Sequence, residues 1–229
     1  MNLFLEIAFL FFIGSIIGWC LELVFRRFFS KVNSYHKWIN PGFLTGPYLP
    51  LYGFSLCTLF LLSKLNVSFI QNPVAQKVVL FILMAFCITV IEFIAGMIFI
   101  RGMKIILWDY SNCRGNILGV ICPQFSFYWT ILSAIYYFLI NPYILDALYW
   151  LSNHLAFLFV VGFFYGSFVV DVFYTFNVVS KIRKFAEEKE IIVRYELLKS
   201  TIHAYNEELK EKNRSLKLRK KNTHSTSEK

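Results

Sequence analysis

The chain has 229 residues, of which 57% are hydrophobic, 19% aromatic and only 16% charged. A soluble domain of this size cannot bury so much apolar surface, so the composition predicts an integral membrane protein. The formal net charge is +9. Nothing resembling a base-reading or base-stacking module accompanies the basic residues, which indicates contact with anionic lipid headgroups and no nucleic-acid partner.

Apolar runs of about 18 to 25 residues predict five membrane-spanning helices. They lie at roughly 3–25, 47–64, 78–100, 118–140 and 155–179. Strands of a membrane β-barrel would instead show about ten residues of alternating polarity. The predicted fold class is therefore all-α, with a polytopic helix bundle over 1–180 and a basic cytoplasmic segment over 181–229.

Two stretches of the chain share a pattern built around an acid. Glu22 and Glu92 each interrupt an apolar run, and each is followed nine residues later by a base and sixteen residues later by a tryptophan. The bases are Lys31 and Arg101, and the tryptophans are Trp38 and Trp108. With three extra residues in the second copy, Gly42, Gly46, Pro50 and Phe54 then correspond to Gly115, Gly119, Pro123 and Phe127. The pattern predicts a parallel repeat of a two-helix unit, formed by spans 1–2 and spans 3–4, with span 5 added beside it.

The distribution of bases predicts the orientation. Of the bases before residue 180, most lie in the first and third connections, namely Arg26, Arg27, Lys31, Lys37, Arg101, Lys104 and Arg114. The second connection has only Lys64 and Lys77, and the fourth, with Asp146 and His154, has no Lys or Arg. By the positive-inside rule, connections one and three and the C-terminus are cytoplasmic and the N-terminus is outside.

Acids at membrane depth are the first candidates for a functional site, because burying one costs about 2.5 to 3.5 kcal/mol on insertion scales. Glu92 lies nine residues before Arg101, which at about 1.5 Å per residue places it roughly 13 Å inside the membrane boundary. Asp171 lies ten residues before Lys181, at a similar depth. A structural hydrogen bond between helices is the alternative for both acids. Glu22 precedes Arg26 by one turn, so it could simply form a pair at the interface.

No Lys or Arg is expected at the depth of Glu92 and Asp171. An internal site with unmatched carboxyl groups favours protons, cations or zwitterions over anions, and no cofactor or metal is predicted. The five cysteines are scattered without a C-x-x-C pair, which favours neither a zinc site nor a disulfide framework.

Glycine and proline mark the segments that enter spans two and four. Residues 40–53 hold three prolines and three glycines, and 108–123 hold Gly115, Gly119 and Pro123. Irregular backbone at membrane depth needs cover from protein or a water-filled cavity, so these segments predict a transporter-type binding site, or else merely tight loops. The candidate substrate-binding or pathway residues are Glu22, Glu92, Asp171, Trp38, Trp108, Asp109, Tyr110, Asn40, Tyr48 and Asn116.

Small residues predict where helices approach closely. Gly14 and Gly18 are four residues apart, as are Gly162 and Gly166. Glu22 follows Gly18 by another four residues and so lies on the same face of the helix as the two glycines, a set that we call the glycine stripe. We therefore expect Glu22 to face another helix.

The C-terminal segment has the spacing of a short coiled coil or an amphipathic helix over 191–209. Its apolar residues step by three and four, at Ile191, Tyr195, Leu198, Ile202, Tyr205 and Leu209. Such a helix could lie on headgroups, or bind a partner or a second copy of the chain. Beyond Asn213 the composition predicts disorder.

Several of these stretches resemble a known family. The chain is similar, over roughly residues 10–145, to the bacterial ABC transporter permeases of type IV, the CmpB-like family. The resemblance rests on the run 40–53, on Glu92-Phe93 with Gly96, on the box 108–111, and on the segment 116–122 with Ser126 and Trp129. The resemblance implies a multi-pass permease in the bacterial plasma membrane. Pro123 after Cys122 departs from the family pattern, which bears on the geometry of the fourth span.

A permease of that kind needs an ATPase on another chain, because no G-x-x-x-x-G-K-[ST] motif occurs in the sequence. Two alternatives stay open. One is a scaffold or sensor subunit that acts through the C-terminal helix. The other is a membrane enzyme acting on lipid at the inner leaflet, with Asp109, Tyr110, Glu22, Arg26 and Arg27 near headgroup level. No nucleophile elbow or similar catalytic motif supports the enzyme, so catalysis is the less favoured class.

Overall fold

A computed structural model describes residues 2–29, 36–65, 71–188, 193–194, 198–199, 201–202, 204–205 and 207–210. Within these residues the protein is built from helices, and a two-residue β pairing accompanies them. Lys31, Ile191, Tyr195 and the segment beyond Asn213 lie outside the described residues, as therefore do the predictions made for them.

The described residues form six α-helices. They are α1 (Leu3–Phe29), α2 (Pro50–Ser63), α3 (Pro73–Met97), α4 (Pro123–Ile135), α5 (Asn141–Asn153) and α6 (Leu158–Glu188). A π-helical turn, Ile98–Gly102, extends α3, a second one, Tyr136–Ile140, joins α4 to α5, and a 3₁₀ turn, Leu155–Phe157, precedes α6. The strands are β1 (Ile105–Ile106) and β2 (Val193–Arg194).

Four helical stretches of the described chain are long and apolar enough to cross a membrane. They are Leu3–Phe29, Pro73–Gly102, Pro123–Asn153 and Leu155–Val178. The all-α prediction and the membrane class are therefore confirmed. The predicted second span is shorter, since α2 has 14 residues. The five-span count and the repeat stay predictions.

Despite its length, α2 runs antiparallel beside most of α1. Tyr52 near its start reaches Glu22 at 2.9 Å, and Lys64 after its end reaches Glu6 at 3.0 Å. The predicted close approach at Gly14 and Gly18 is confirmed. A Cβ at Gly18 would lie 2.2 Å from the Cβ of Tyr52.

The fourth membrane helix differs from its predicted limits of 118–140. It begins at Pro123, because Cys122 is extended and Leu118 and Gly119 just before it have positive φ angles of 55° and 68°, which no helix tolerates. It continues to Asn153, so the prediction that Asp146 lies in a connection is wrong. α5 has an apolar face, formed by Ile144, Leu148 and Leu151, which is buried in the core. Burial of this face stabilises the helix beyond the predicted end at residue 140.

α6 packs against α1 through aromatic side chains. Phe164 contacts Phe12 at 4.9 Å between ring centroids, and the Tyr165 hydroxyl donates to the Ala8 carbonyl at 3.0 Å. The predicted close contact at Gly162 and Gly166 is not found, because within the described residues a Cβ at either position would meet nothing within 4 Å.

The segment after α6 departs from a continuous helix. β2 pairs in parallel with β1, on the connection after α3. The helical prediction over 191–209 is therefore wrong at Val193 and Arg194, because the backbone edge of β1 supplies hydrogen-bonding groups to an extended partner. Helical residues follow among the described positions of 198–210.

Candidate functional site: a cavity between two acid-bearing helices

Glu22 lies in the last third of α1 and is held by two donors. The Arg26 guanidinium Nε donates to one carboxylate oxygen at 2.8 Å, and the Tyr52 hydroxyl donates to the other at 2.9 Å. The i, i+4 spacing brings the arginine onto the same face of α1. The close approach at Gly18 brings α2 and its tyrosine alongside. Glu22 therefore faces α2, as its position in the glycine stripe predicts.

Glu92 lies in α3 and is almost fully buried, at 4% exposure. The Tyr110 hydroxyl donates to one oxygen at 2.9 Å, and the Trp129 indole N–H donates to the other at 3.0 Å. Tyr110 lies on the connection after α3 and stacks on Phe125 of α4, with ring centroids 4.1 Å apart. A buried carboxyl group with both oxygens hydrogen-bonded avoids the penalty of an unpaired polar group.

Glu22, Glu92 and Tyr110 belong to one polar cluster, since all three line the same cavity. Burial raises the pKa of Tyr110 above its ordinary value, and the nearby Glu92 raises it further. Glu22 and Tyr52 also contribute to raising the Tyr110 pKa, although they lie on the other pair of helices. The Tyr110 phenol thus stays protonated and acts as a donor.

The cluster lines a cavity of about 800 Å³. Its polar side chains are those of Glu22, Arg26, Tyr52, Glu92, Tyr110, Trp108 and Trp129, with Ser55 and Thr58 further along α2. Most of the other wall residues are apolar and come from α2, α3, α6 and the two connections. The cavity therefore combines an acidic, aromatic end with an apolar wall.

Asn40 organises the connection between α1 and α2. Its side-chain oxygen accepts from the Trp19 indole at 2.8 Å and from the Gly42 backbone N–H at 2.9 Å. Its side-chain nitrogen donates to the carbonyl oxygens of Leu44 and Thr45, at 3.1 and 2.9 Å. Asn40 thus fixes the path of the segment whose next residues line the cavity.

Asn116 has the corresponding role between α3 and α4. It donates to the carbonyl oxygens of Ser111 and Cys113, at 3.1 and 2.9 Å, and accepts from the Gly119 N–H at 3.1 Å. Asp109 caps the same turn by accepting from the Ser111 N–H at 3.0 Å and from its hydroxyl. These side chains hold Tyr110 in place.

Asp171 forms a second polar cluster, where α6 meets the first connection. Its carboxylate accepts from the backbone N–H of Thr45 at 3.2 Å, the N–H of Gly46 at 2.7 Å and the Tyr48 hydroxyl at 2.6 Å. The hydroxyls of Thr45 and Thr175 also donate to it. Asp171 and Tyr48 thus join the connection to α6.

The two tryptophans of the repeat pattern have different surroundings. Trp108 lines the cavity and donates from its indole to the Val120 carbonyl at 2.9 Å. Trp38 is exposed, and the Arg27 guanidinium lies 4.0 Å from its ring centroid. The five residues considered for lipid chemistry do not form one site. Glu22, Arg26 and Tyr110 line the cavity, whereas Arg27 stacks on Trp38 and Asp109 caps the turn at Ser111.

Tyr52 and Trp129 belong to the cavity but were not among the predicted site residues. Tyr52 lies opposite Gly18 of α1, and Trp129 lies on the face of α4 that meets α3. No signal in the sequence alone singles them out, because both positions depend on which helix faces meet. Among the described residues, the donors to Glu92 are the uncharged Tyr110 and Trp129, and Arg26 joins Glu22 in lining the same cavity.

Residues 9–176 match the model of the family described as "Putative ABC-transporter type IV" (ABC_trans_CmpB). Comparison with curated proteins and with solved structures gives no match. The family match includes both acid-bearing helices, both irregular connections and most of the membrane part of α6. The chain belongs to the ABC_trans_CmpB family of ABC-transporter-type membrane proteins.

Proposed function

We propose that the protein is the membrane component of a transporter, and that it binds a small amphipathic cation or zwitterion in the cavity. The observation that carries the proposal is that Glu22 and Glu92, from different helices, line one largely apolar cavity. The lining holds two carboxyl groups and one guanidinium, which favours a cationic or zwitterionic head. The apolar wall suits a hydrocarbon portion of the same solute.

The volume of the cavity supports a small-molecule occupant. At about 800 Å³ it falls within the range of about 300 to 1,000 Å³ that is typical of ligand sites. Aromatic rings next to carboxylates are also well suited to ammonium groups, because a cation interacts favourably with ring faces. Trp108, Trp129, Tyr52 and Tyr110 supply those rings.

The distribution of charge supports a cavity that faces the cytoplasm. The acidic end lies beside the ends of α1 and α3 that carry Arg26, Arg27 and Arg101, and positive residues favour the cytoplasmic side. The family description supports a separate ATPase subunit as the source of energy. The irregular connections at this end would meet such a subunit.

The test is binding of a spin-labelled alkyl trimethylammonium to the protein in nanodiscs, detected by quenching of tryptophan fluorescence. We expect saturable quenching that a spin-labelled alkyl sulfonate does not produce. Glu92→Gln should weaken the affinity about tenfold or more, since two opposite charges about 4 Å apart attract each other by roughly 4 kcal/mol at an effective dielectric constant of about 20. Glu6→Gln is the matched control, because Glu6 pairs with Lys64 away from the cavity.

Equal affinity for the cation and the sulfonate would contradict the proposed charge selectivity. Equal affinity of Glu92→Gln and the unaltered protein would remove Glu92 from the site. A monodisperse peak in detergent for each variant separates loss of binding from loss of fold.

A further inference from the structure

The wall of the cavity is buried on one side and exposed on another. Leu44 and Met103, on the two connections, are 4% and 8% exposed. Phe54 of α2, Ile94 of α3 and Phe176 of α6 also belong to the wall, but each is more than half exposed. A wall residue with so much exposed surface lies at an open edge. The connections therefore cover their end of the cavity, and the helices leave a side of it open.

The open side lies between α3 and α6. Both helices contribute to the cavity wall, yet among the described residues they do not pack closely against each other. α6 is held instead by α1, and by the contacts of Asp171 with Thr45 and Gly46 on the first connection. The cavity therefore occupies a gap between α3 and α6.

The edges of this opening lie within the membrane. Ile94 belongs to the membrane-spanning stretch Pro73–Gly102, and Phe176 belongs to Leu155–Val178. Ile94 comes eight residues before the end of its stretch, which at about 1.5 Å per residue places it roughly 12 Å inside the boundary. An apolar edge at this depth contacts the hydrocarbon of the bilayer, whereas in water it would be an unfavourable exposed patch. The opening therefore leads into the half of the bilayer nearest the two connections.

The two acids lie behind this apolar edge. Glu92 is almost fully buried, and its donors, the Tyr110 hydroxyl and the Trp129 indole, are both uncharged. Among the residues of the wall, the guanidinium of Arg26 faces two carboxyl groups, those of Glu22 and Glu92. The charges thus match a positive group inside the cavity, and the open edge matches an apolar group in the bilayer.

We propose that the cavity opens sideways into the bilayer between α3 and α6, and that its occupant is an amphiphile dissolved in the membrane. The ammonium head lies at Glu22 and Glu92, and the alkyl chain extends past Ile94 and Phe176 into the hydrocarbon. Both statements rest on the proposed function, to which they add a class of solute, long-chain ammonium compounds, and a route of entry. A cation without a chain gains little from such an opening, because the hydrocarbon in front of it disfavours ions.

The first test uses hexadecyltrimethylammonium with a photoreactive diazirine partway along its chain, added to the full-length protein in nanodiscs. Mass spectrometry then identifies the labelled residues. We expect labelling of Phe54, Ile94 and Phe176 that an excess of unmodified hexadecyltrimethylammonium reduces several-fold. The same concentration of tetramethylammonium should leave this labelling unchanged, because it has no chain to fill the opening.

Ile82 is the matched background position for this experiment. It is 57% exposed on the same helix as Ile94, but it is not part of the cavity wall. Its labelling by probe dissolved in the bilayer should not respond to either competitor. An equal response of Ile82 and Ile94, or equal competition by tetramethylammonium, would overturn the proposed occupant and its route.

The second test narrows the opening. Ile94→Trp places a larger apolar side chain at the edge, and Ile82→Trp makes the same change on α3 away from the cavity. We expect Ile94→Trp to slow the labelling of Phe54 and Phe176 several-fold after the probe is added, and Ile82→Trp to leave that rate unchanged. Both altered positions are exposed, so each variant should keep a monodisperse peak in detergent. Equal labelling rates in the two variants would overturn the lateral opening.

Quenching of tryptophan fluorescence by the spin-labelled alkyl trimethylammonium distinguishes this proposal from the proposed function. Saturable quenching without competed labelling of the edge residues would overturn the lateral opening and leave the cation site in the cavity intact. Absence of saturable quenching would contradict the proposed function, and the lateral route with it.

Discussion

At the scale of single residues, Gly18 shows how closely the first two helices pack. A Cβ at Gly18 would lie 2.2 Å from the Cβ and 2.3 Å from the first ring carbon of Tyr52. These atoms are close to the backbone of α2, so they cannot move away as the tip of a flexible side chain could. The absence of a side chain at Gly18 therefore allows Tyr52 to reach Glu22.

Gly18→Ala should destabilise the protein by about 1 to 3 kcal/mol, the usual cost of inserting a group into a packed contact. The measurement is the thermal unfolding midpoint in detergent. Gly162→Ala provides the control, because a Cβ there meets nothing within 4 Å among the described residues. If both variants unfold at the same temperature, the two helices are not packed as described.

Tyr110→Phe removes one of the two donors to the buried Glu92 carboxyl group. We expect a loss of about 1 to 3 kcal/mol in stability, since the buried acceptor is left unsatisfied. The exposed Tyr143 supplies the comparison, and Tyr143→Phe should leave the unfolding midpoint unchanged. An unaltered midpoint for Tyr110→Phe would mean that the hydroxyl does not stabilise the folded protein.

At the scale of elements, the irregular connections are determined by side chains more than by glycine and proline alone. Asn40 and Asn116 each use both ends of the side-chain amide to fold the backbone around themselves. Asp171 then joins the first connection to α6. The composition of 40–53 predicted an interrupted helix, but it did not predict that a carboxylate 125 residues away from Gly46 completes the turn.

Asp171→Asn should loosen this junction. Both carboxylate oxygens of Asp171 accept hydrogen bonds from backbone N–H groups, one from Thr45 and the other from Gly46. In asparagine one of these oxygens is replaced by an N–H₂ group, which is itself a donor, so one of the two backbone N–H groups loses its acceptor. We expect faster proteolytic cleavage within 40–48 and a lower unfolding midpoint. Asp146→Asn, at an exposed position of α5, should change neither quantity. Equal cleavage rates in the two variants would show that Asp171 does not hold the connection.

Sequence patterns predicted the helices well wherever an apolar run had clear ends. The start of the fourth helix was misplaced because residues 118–122 are as apolar as those that follow, and only Pro123 and the left-handed backbone at Leu118 and Gly119 mark the true start. The end of the fourth helix was misplaced because α5 continues beyond the apolar run. Only one face of α5 is buried, so its sequence is not apolar throughout. Hydrophobicity alone therefore determines neither the start nor the end of this helix.

The cavity could be predicted only in part for a related reason. Glu22 and Glu92 stand out in the sequence because each is an acid in an apolar run. Tyr52 and Trp129 do not, since aromatic residues are common throughout this chain, with 19% of all positions. Their roles depend on which faces of four helices meet, and a single sequence does not determine that.

At the scale of the whole molecule, the charge pattern makes a prediction about topology. A green fluorescent protein fused after Lys229 should be fluorescent in cells, and alkaline phosphatase fused there should be inactive, because the bases near the ends of α1 and α3 favour the cytoplasm. Phosphatase activity at the C-terminus would reverse the proposed orientation and move the open side of the cavity to the other face of the membrane.

The parallel pairing of β2 with β1 bears on how the protein matures. A ribosome makes β1 long before β2, with the whole of α4, α5 and α6 in between. The backbone edge of β1 therefore acquires this partner only after α4, α5 and α6 have been synthesised. Formation of the β1–β2 pair is thus a late event in the folding of the described residues, and it requires that the chain from α3 to α6 has already been synthesised.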